Sequence, residues 1–102
     1  MPYNVYPSHI EEVIEQHPAV LQCTVVGLPH PYKQQIPKAF IVLKEGYNDT
    51  KKLKEEIKKY CKKNLAKYMV PYEFEYRKKL PRTKLGKVDF RKLQGEVASN
   101  EK

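Results

Sequence analysis

The chain has no tryptophan, two cysteines, two methionines and four glycines in 102 residues. It has no internal repeat, no low-complexity tract and no linker-like stretch. No apolar run approaches the roughly 20 residues that a membrane-spanning helix needs, and no secretory leader is expected ahead of Tyr3. Cys23 and Cys61 form no C-x-x-C pair and lack the histidine spacing of a zinc site, which excludes a zinc ribbon or a disulfide framework. Both are expected as buried thiols, in keeping with a reducing cytoplasm. Acidic residues are also scarce: 12, against 20 lysines and arginines. The formal charge is +8, with 16 of the basic residues between positions 51 and 93 against five acidic ones. Such a basic half attracts phosphates, or simply keeps a helix face in solution.

What is present suits one small domain. Ile10, Val13 and Ile14 share a helical face behind Ser8-x-x-Glu11, which reads as a capping box with Pro7 just outside it. Glu11, Glu12 and Glu15 are expected to face water. His17-Pro18 ends that helix. Val20 to Leu28 is rich in β-branched residues and reads as a buried strand. Lys38 to Lys44 is apolar on both faces and reads as a central strand, antiparallel to the first across a short polar loop containing His30. Asp49 or Thr50 can cap a helix carrying Leu53, Ile57, Tyr60, Cys61 and Leu65 as its stripe, with Glu55 and Lys59 as a surface pair. Tyr72 to Tyr76 alternates aromatic and acidic residues, the pattern of a half-exposed strand. Tyr3 to Tyr6 reads as a short strand or extended loop. The expected fold is α+β: a small, mostly antiparallel sheet of about three strands covered by helices. The expected domain is residues 1–102, with a core over 3–94 and a frayed tail over 95–102.

The most informative stretch is Leu80-Pro81-Arg82-Thr83-Lys84-Leu85-Gly86-Lys87. Pro81 fixes the backbone, and Gly86 can take positive φ in a tight turn shaped with Thr83. Lys87 then stands just past a stiff corner. Phe90 and Leu93, three apart, are expected to be buried by a short helix. Lysines are mostly solvated, and this chain has many, so composition alone gives Lys87 no special standing.

Pro81-x-Thr83-x-x-Gly86-Lys87 resembles the closing lysine motif of the adenylate-forming superfamily: acyl-CoA synthetases, peptide-synthetase adenylation domains and luciferases. Tyr3-Asn4-Val5-Tyr6-Pro7-Ser8-His9-Ile10-Glu11 resembles the segment that opens the small C-terminal domain of those enzymes. Val25-Val26-Gly27-Leu28-Pro29-His30, Pro37-Lys38-Ala39-Phe40-Ile41-Val42-Leu43 and Leu65-Ala66-Lys67-Tyr68-Met69-Val70-Pro71 follow in the family's order. Each motif is weak alone; five in order are specific. Departures are Pro2 for the opening Gly, His9 for Glu, Leu85 for the Ser of many relatives and Phe90 for Arg.

The resemblance implies the C-terminal lid domain of an ATP-dependent acyl-CoA synthetase, with Lys87 as the catalytic cation. It implies that Tyr3, Asn4 and Val5 line a tunnel for the pantetheine arm of CoA, although such residues also serve as core strand positions. ATP or AMP, CoA and a carboxylic acid are the implied ligands. No ATP-phosphate loop and no acyl pocket can be found in the chain. The large N-terminal domain is therefore the expected partner, with Mg²⁺ expected there. No ligand is expected to bind this domain alone, and alone it should be inactive. The basic helix and Arg77-Lys78-Lys79 could draw CoA phosphates, although solvated lysines are the commoner outcome. The alternative is a basic non-enzymatic module for nucleic acid or protein, but no RNA-binding motif is present and no nucleic-acid partner is expected.

Overall fold

The computed structural model describes residues 7–29 and 35–100. Helix α1 (Pro7–Glu15) leads to strand β1 (Val20–Pro29), strand β2 (Gln35–Leu43) and helix α2 (Lys51–Asn64). A single 3₁₀ turn (Lys67–Met69), strand β3 (Glu73–Arg77) and helix α3 (Phe90–Asn100) complete the order. The sheet runs β1-β2-β3, so β2 is central, as its two apolar faces require. The β1–β2 pair is antiparallel. The β2–β3 pair is parallel, because α2 carries the chain back over the sheet before β3 begins. The result is the expected small helix-covered sheet, mixed in direction.

Two cores lie on the two faces. One joins Ile10 and Ile14 of α1, Cys23 and Val25 of β1, Ala39 and Ile41 of β2, and Ile57 and Cys61 of α2, with Phe74 and Tyr76 of β3 against it. The other joins Val26, Phe40, Val42, Leu80 and Leu93, with Val88 alongside. The alternation of β2 thus divides as the sequence pattern requires: Ala39 and Ile41 to one core, Phe40 and Val42 to the other. A register shift between Val20 and Gln22 inserts Leu21 as an extra residue and turns it outward, 61% exposed. Thr50 caps α2, its hydroxyl accepting the Leu53 N–H at 3.2 Å.

Several expectations change. Helix α1 begins at Pro7, a favoured first helical position, so Ser8 lies inside it and no capping box forms. Glu11 and Glu15 do not merely face water. The Cys23 N–H donates to Glu15 Oε2 at 2.9 Å, and the Val25 N–H donates to Glu11 Oε2 at 2.7 Å. On α3, Gln94 continues this line, donating to the Gly27 carbonyl at 2.6 Å and accepting the Gly27 N–H at 3.3 Å. The outer edge of β1 is thereby closed by side chains. Burial pushes the Glu11 carboxyl above its ordinary value, the Val25 N–H opposes this, and nearby Glu15 adds to it.

Glu55 and Lys59 form no ion pair among the described residues; Glu56 instead meets His17 at 3.0 Å. The Ala19 N–H donates to His17 Nδ1 at 3.1 Å, which leaves the ring proton on Nε2 to donate to Glu56. The Tyr60 ring meets the imidazole edge-on at 5.2 Å. This buried histidine links the end of α1 to α2. Phe90 is 46% exposed, and only Leu93 of the expected pair is buried. The cause is the position of α3, which starts at Phe90 and offers its first turn to solvent. The helix continues to Asn100, beyond the expected end of order at Gln94. Gln94 on β1 and Glu96 on Arg77 hold this continuation to the sheet.

Candidate functional site

The hairpin between Leu80 and α3 is built almost entirely from backbone. Leu80 is buried in the second core and anchors its base. The Asp89 N–H donates to the Pro81 carbonyl and the Thr83 N–H to the Lys87 carbonyl, both at 2.7 Å. Arg82 and Val88 face each other as an antiparallel bridge. At the tip, the Gly86 N–H donates to the Thr83 carbonyl at 2.9 Å, closing a four-residue turn. Gly86 has φ of +84°, where a side chain is strained, so the residue fits the bend the sequence predicts. The Arg82 guanidinium braces this tip from beneath. It donates to the Gly86 carbonyl at 2.9 Å and to Gln22 Oε1 of β1 at 3.4 Å.

The hairpin passes directly into α3. Asp89 Oδ1 accepts the Lys92 N–H at 3.1 Å, and the Asp89 carbonyl accepts the Leu93 N–H at 3.2 Å. Asp89 is thus the helix cap, two residues after Lys87. Sequence reasoning missed it, although an Asp just ahead of a helical pattern is a cap signal. Lys87 is exposed. Among the described residues it joins no ion pair. A long, free ammonium therefore projects from backbone fixed at both ends. Such a cation can reach a negative group on another body without first breaking a bond at home.

A second lysine has the opposite setting. Lys38, 9% exposed on β2, meets Glu75 at 2.9 Å and Glu73 at 3.7 Å. Its Nζ lies 4.9 Å from the centre of the Phe40 ring. Arg77 covers Phe40 as well, at 4.7 Å, and pairs with Glu75 and, at 2.7 Å, with Glu96 of α3. Burial raises the Glu75 carboxyl, but its bonds to Lys38 and Arg77 outweigh this and hold it below the ordinary value. The bond to Glu96 raises the Arg77 guanidinium, burial opposes this, and Glu75 raises it further. Arg77 is thus committed to the sheet face, which removes it from the basic trio expected to draw phosphates. Lys78 and Lys79 remain exposed.

The thiols of Cys23 and Cys61 are buried and free. Burial pushes Cys61 up to about 11 and, together with Glu11, Glu15 and Cys61, pushes Cys23 higher still. Neither has the thiolate character of a nucleophile at neutral pH. Among the described residues no group of three or more His, Cys, Asp or Glu side chains could hold a metal ion, and no helix is long and apolar enough to cross a membrane. Tyr3, Asn4, Val5 and His30 lie outside the described residues.

The sheet carries a braced hairpin on which Lys84 and Lys87 are both exposed and, among the described residues, in no ion pair. Residues 9–87 match the AMP-binding enzyme C-terminal domain, and the chain belongs to that family. The chain is 40% identical over 99 residues to a long-chain-fatty-acid–CoA ligase of Bacillus subtilis, covering 96% of this chain and 17% of that protein. It is 42% identical over 90 residues to an acetyl-coenzyme A synthetase of the same organism, covering 88% of this chain and 16% of that protein. The crystal structure of a Brucella canis acyl-CoA synthetase superposes with a TM-score of 0.89 at 32% identity, over 98% of this chain and 18% of that one. An anthranilate CoA ligase in complex with anthranoyl-AMP gives 0.85 at 35% identity, over 94% of this chain and 19% of that one. The chain thus spans under a fifth of the length of these relatives. It is a C-terminal domain of the adenylate-forming ligase superfamily, the one the lysine motif resembles.

Proposed function

We propose that this domain is the lid of an ATP-dependent acyl-CoA synthetase and that Lys87 is its catalytic cation. The observation that carries the reading is the setting of Lys87: exposed, free of ion pairs among the described residues, and mounted on a hairpin closed by backbone bonds. In the first half-reaction a carboxylate oxygen bonds to the α-phosphorus of ATP, and the bond to pyrophosphate breaks. Two anions must approach, and charge moves onto oxygen. An ammonium touching both partners offsets that repulsion and lowers the barrier. Thr83 and Gly86 shape the corner that aims it.

In the second half-reaction the CoA sulfur bonds to the acyl carbon and AMP leaves. The lid turns to present another surface for this step, and Tyr3, Asn4 and Val5 line the path of the pantetheine arm. The nucleotide, the acid and Mg²⁺ are held by a large N-terminal domain, and this domain alone is inactive. The enzyme works in the cytoplasm, and fatty acids are its substrate class.

The test uses the protein carrying both domains. Lys87→Ala lowers acyl-adenylate formation, followed as pyrophosphate release, by roughly a hundredfold or more. Thioester formation from supplied acyl-adenylate stays near the wild-type rate. Equal losses in both steps overturn the role given to Lys87.

A further inference from the structure

Leu85 stands at the outer end of the hairpin and is 85% exposed, more than any other large apolar side chain among the described residues. Leu21 is also exposed, but the extra residue in β1 explains it. Nothing comparable explains Leu85. It occupies the turn closed by the Gly86 N–H and the Thr83 carbonyl, and turns favour Gly, Asn, Asp, Ser or Pro. A leucine brings nothing to the bend and loses the burial its side chain would otherwise gain.

Position supplies the explanation. Leu85 and Lys87 are two residues apart, so their Cα atoms lie within about 7 Å of each other. The Thr83–Lys87 and Thr83–Gly86 backbone bonds and the Arg82 brace fix that relation. A cleft that receives the Lys87 ammonium can therefore hold Leu85 against its rim. The chain makes up 16–19% of the relatives described above, so the body opposite the lid is large.

We propose that Leu85 is a positioning residue: it packs against an apolar rim of the large domain's cleft in the adenylate-forming orientation and holds Lys87 in place there. This rests on the reading of the domain as a lid. Leu85 touches no reacting atom. Its burial favours one orientation of the lid over the other, so it affects the first half-reaction and not the second.

The experiment uses the two-domain protein with Leu85→Ser, Leu85→Met and Lys87→Ala, each measured in both half-reactions. Leu85→Ser lowers the adenylation kcat/KM about tenfold, the effect of losing one buried leucine contact. It leaves the thioester step and the thermal unfolding of the domain unchanged, because the side chain is exposed within it. Leu85→Met, apolar and of similar volume, restores most of the rate. If Lys87→Ala is selectively impaired while Leu85→Ser is not, the leucine is idle and the inference falls alone. An equal loss from Leu85→Ser in both steps overturns it as well. If Lys87→Ala shows no selectivity, the lid reading fails and takes this inference with it.

Discussion

Two lysines on the same small domain have opposite surroundings. Lys38 is folded onto the sheet between two glutamates and a phenylalanine ring, and its charge is used locally to fasten β2 to β3. Lys87 stands on a hairpin that binds itself through backbone, with its own charge left over. A charge that works for stability cannot easily be lent out, because withdrawing it strands its partners. A charge meant for another molecule needs a support that does not depend on it. In the hairpin that support comes from Gly86, Arg82, Asp89 and Leu80, none of which needs the ammonium.

Exchanging the roles of the two sites tests this contrast. The largest effect is the loss of adenylation by roughly a hundredfold in Lys87→Ala, against less than tenfold for Lys38→Ala in preparations that remain folded. In stability the order inverts. Lys38→Ala costs about 2 kcal/mol in urea unfolding, since it leaves Glu73 without its cation, leaves Glu75 with Arg77 alone and removes one of the two cations over Phe40. The partial exposure of both glutamates keeps the figure below that of a fully enclosed pair. Gly86→Ala costs about 1 kcal/mol: an added Cβ meets nothing within 4 Å, so only the positive φ opposes it. Adenylation falls with it, because the corner carrying Lys87 changes shape.

The pH dependence sharpens the contrast further. Glu75 has a folded-state value below its unfolded one. Its contribution is fully present above the ordinary carboxylate range and is lost as pH falls through the lower folded value. Lys38→Ala should flatten that acid loss in a series of urea titrations, whereas Lys87→Ala should leave it intact. The smallest effect is on the stability of Lys87→Ala itself, within about 0.5 kcal/mol of wild type.

The sequence made the hairpin readable because its determinants are local. Pro81, Gly86 and the spacing to Lys87 lie within seven residues, and turn chemistry acts at that range. The two faces of β2 were readable for the same reason, since strand alternation is a nearest-neighbour property. Lys38 was not legible. Its partners, Glu73 and Glu75, are reached only through the parallel β2–β3 register, and nothing local distinguishes it from a solvated lysine. Glu11 looked like a capping residue because Ser8-x-x-Glu11 satisfies that pattern. Its true partner, the Val25 N–H, depends on how α1 lies across β1. Phe90 was misplaced because periodicity gives the spacing of a helix but not which turn leaves the core.

The carboxylates of Glu15 and Glu11 and the amide of Gln94 have a wider consequence. A bare strand margin offers a row of donors on which a neighbouring molecule can extend the sheet. Here the N–H groups of Cys23, Val25 and Gly27 are already occupied. Sheet-to-sheet growth is barred along that border, and the domain is protected on this side from adhering to another molecule through its backbone.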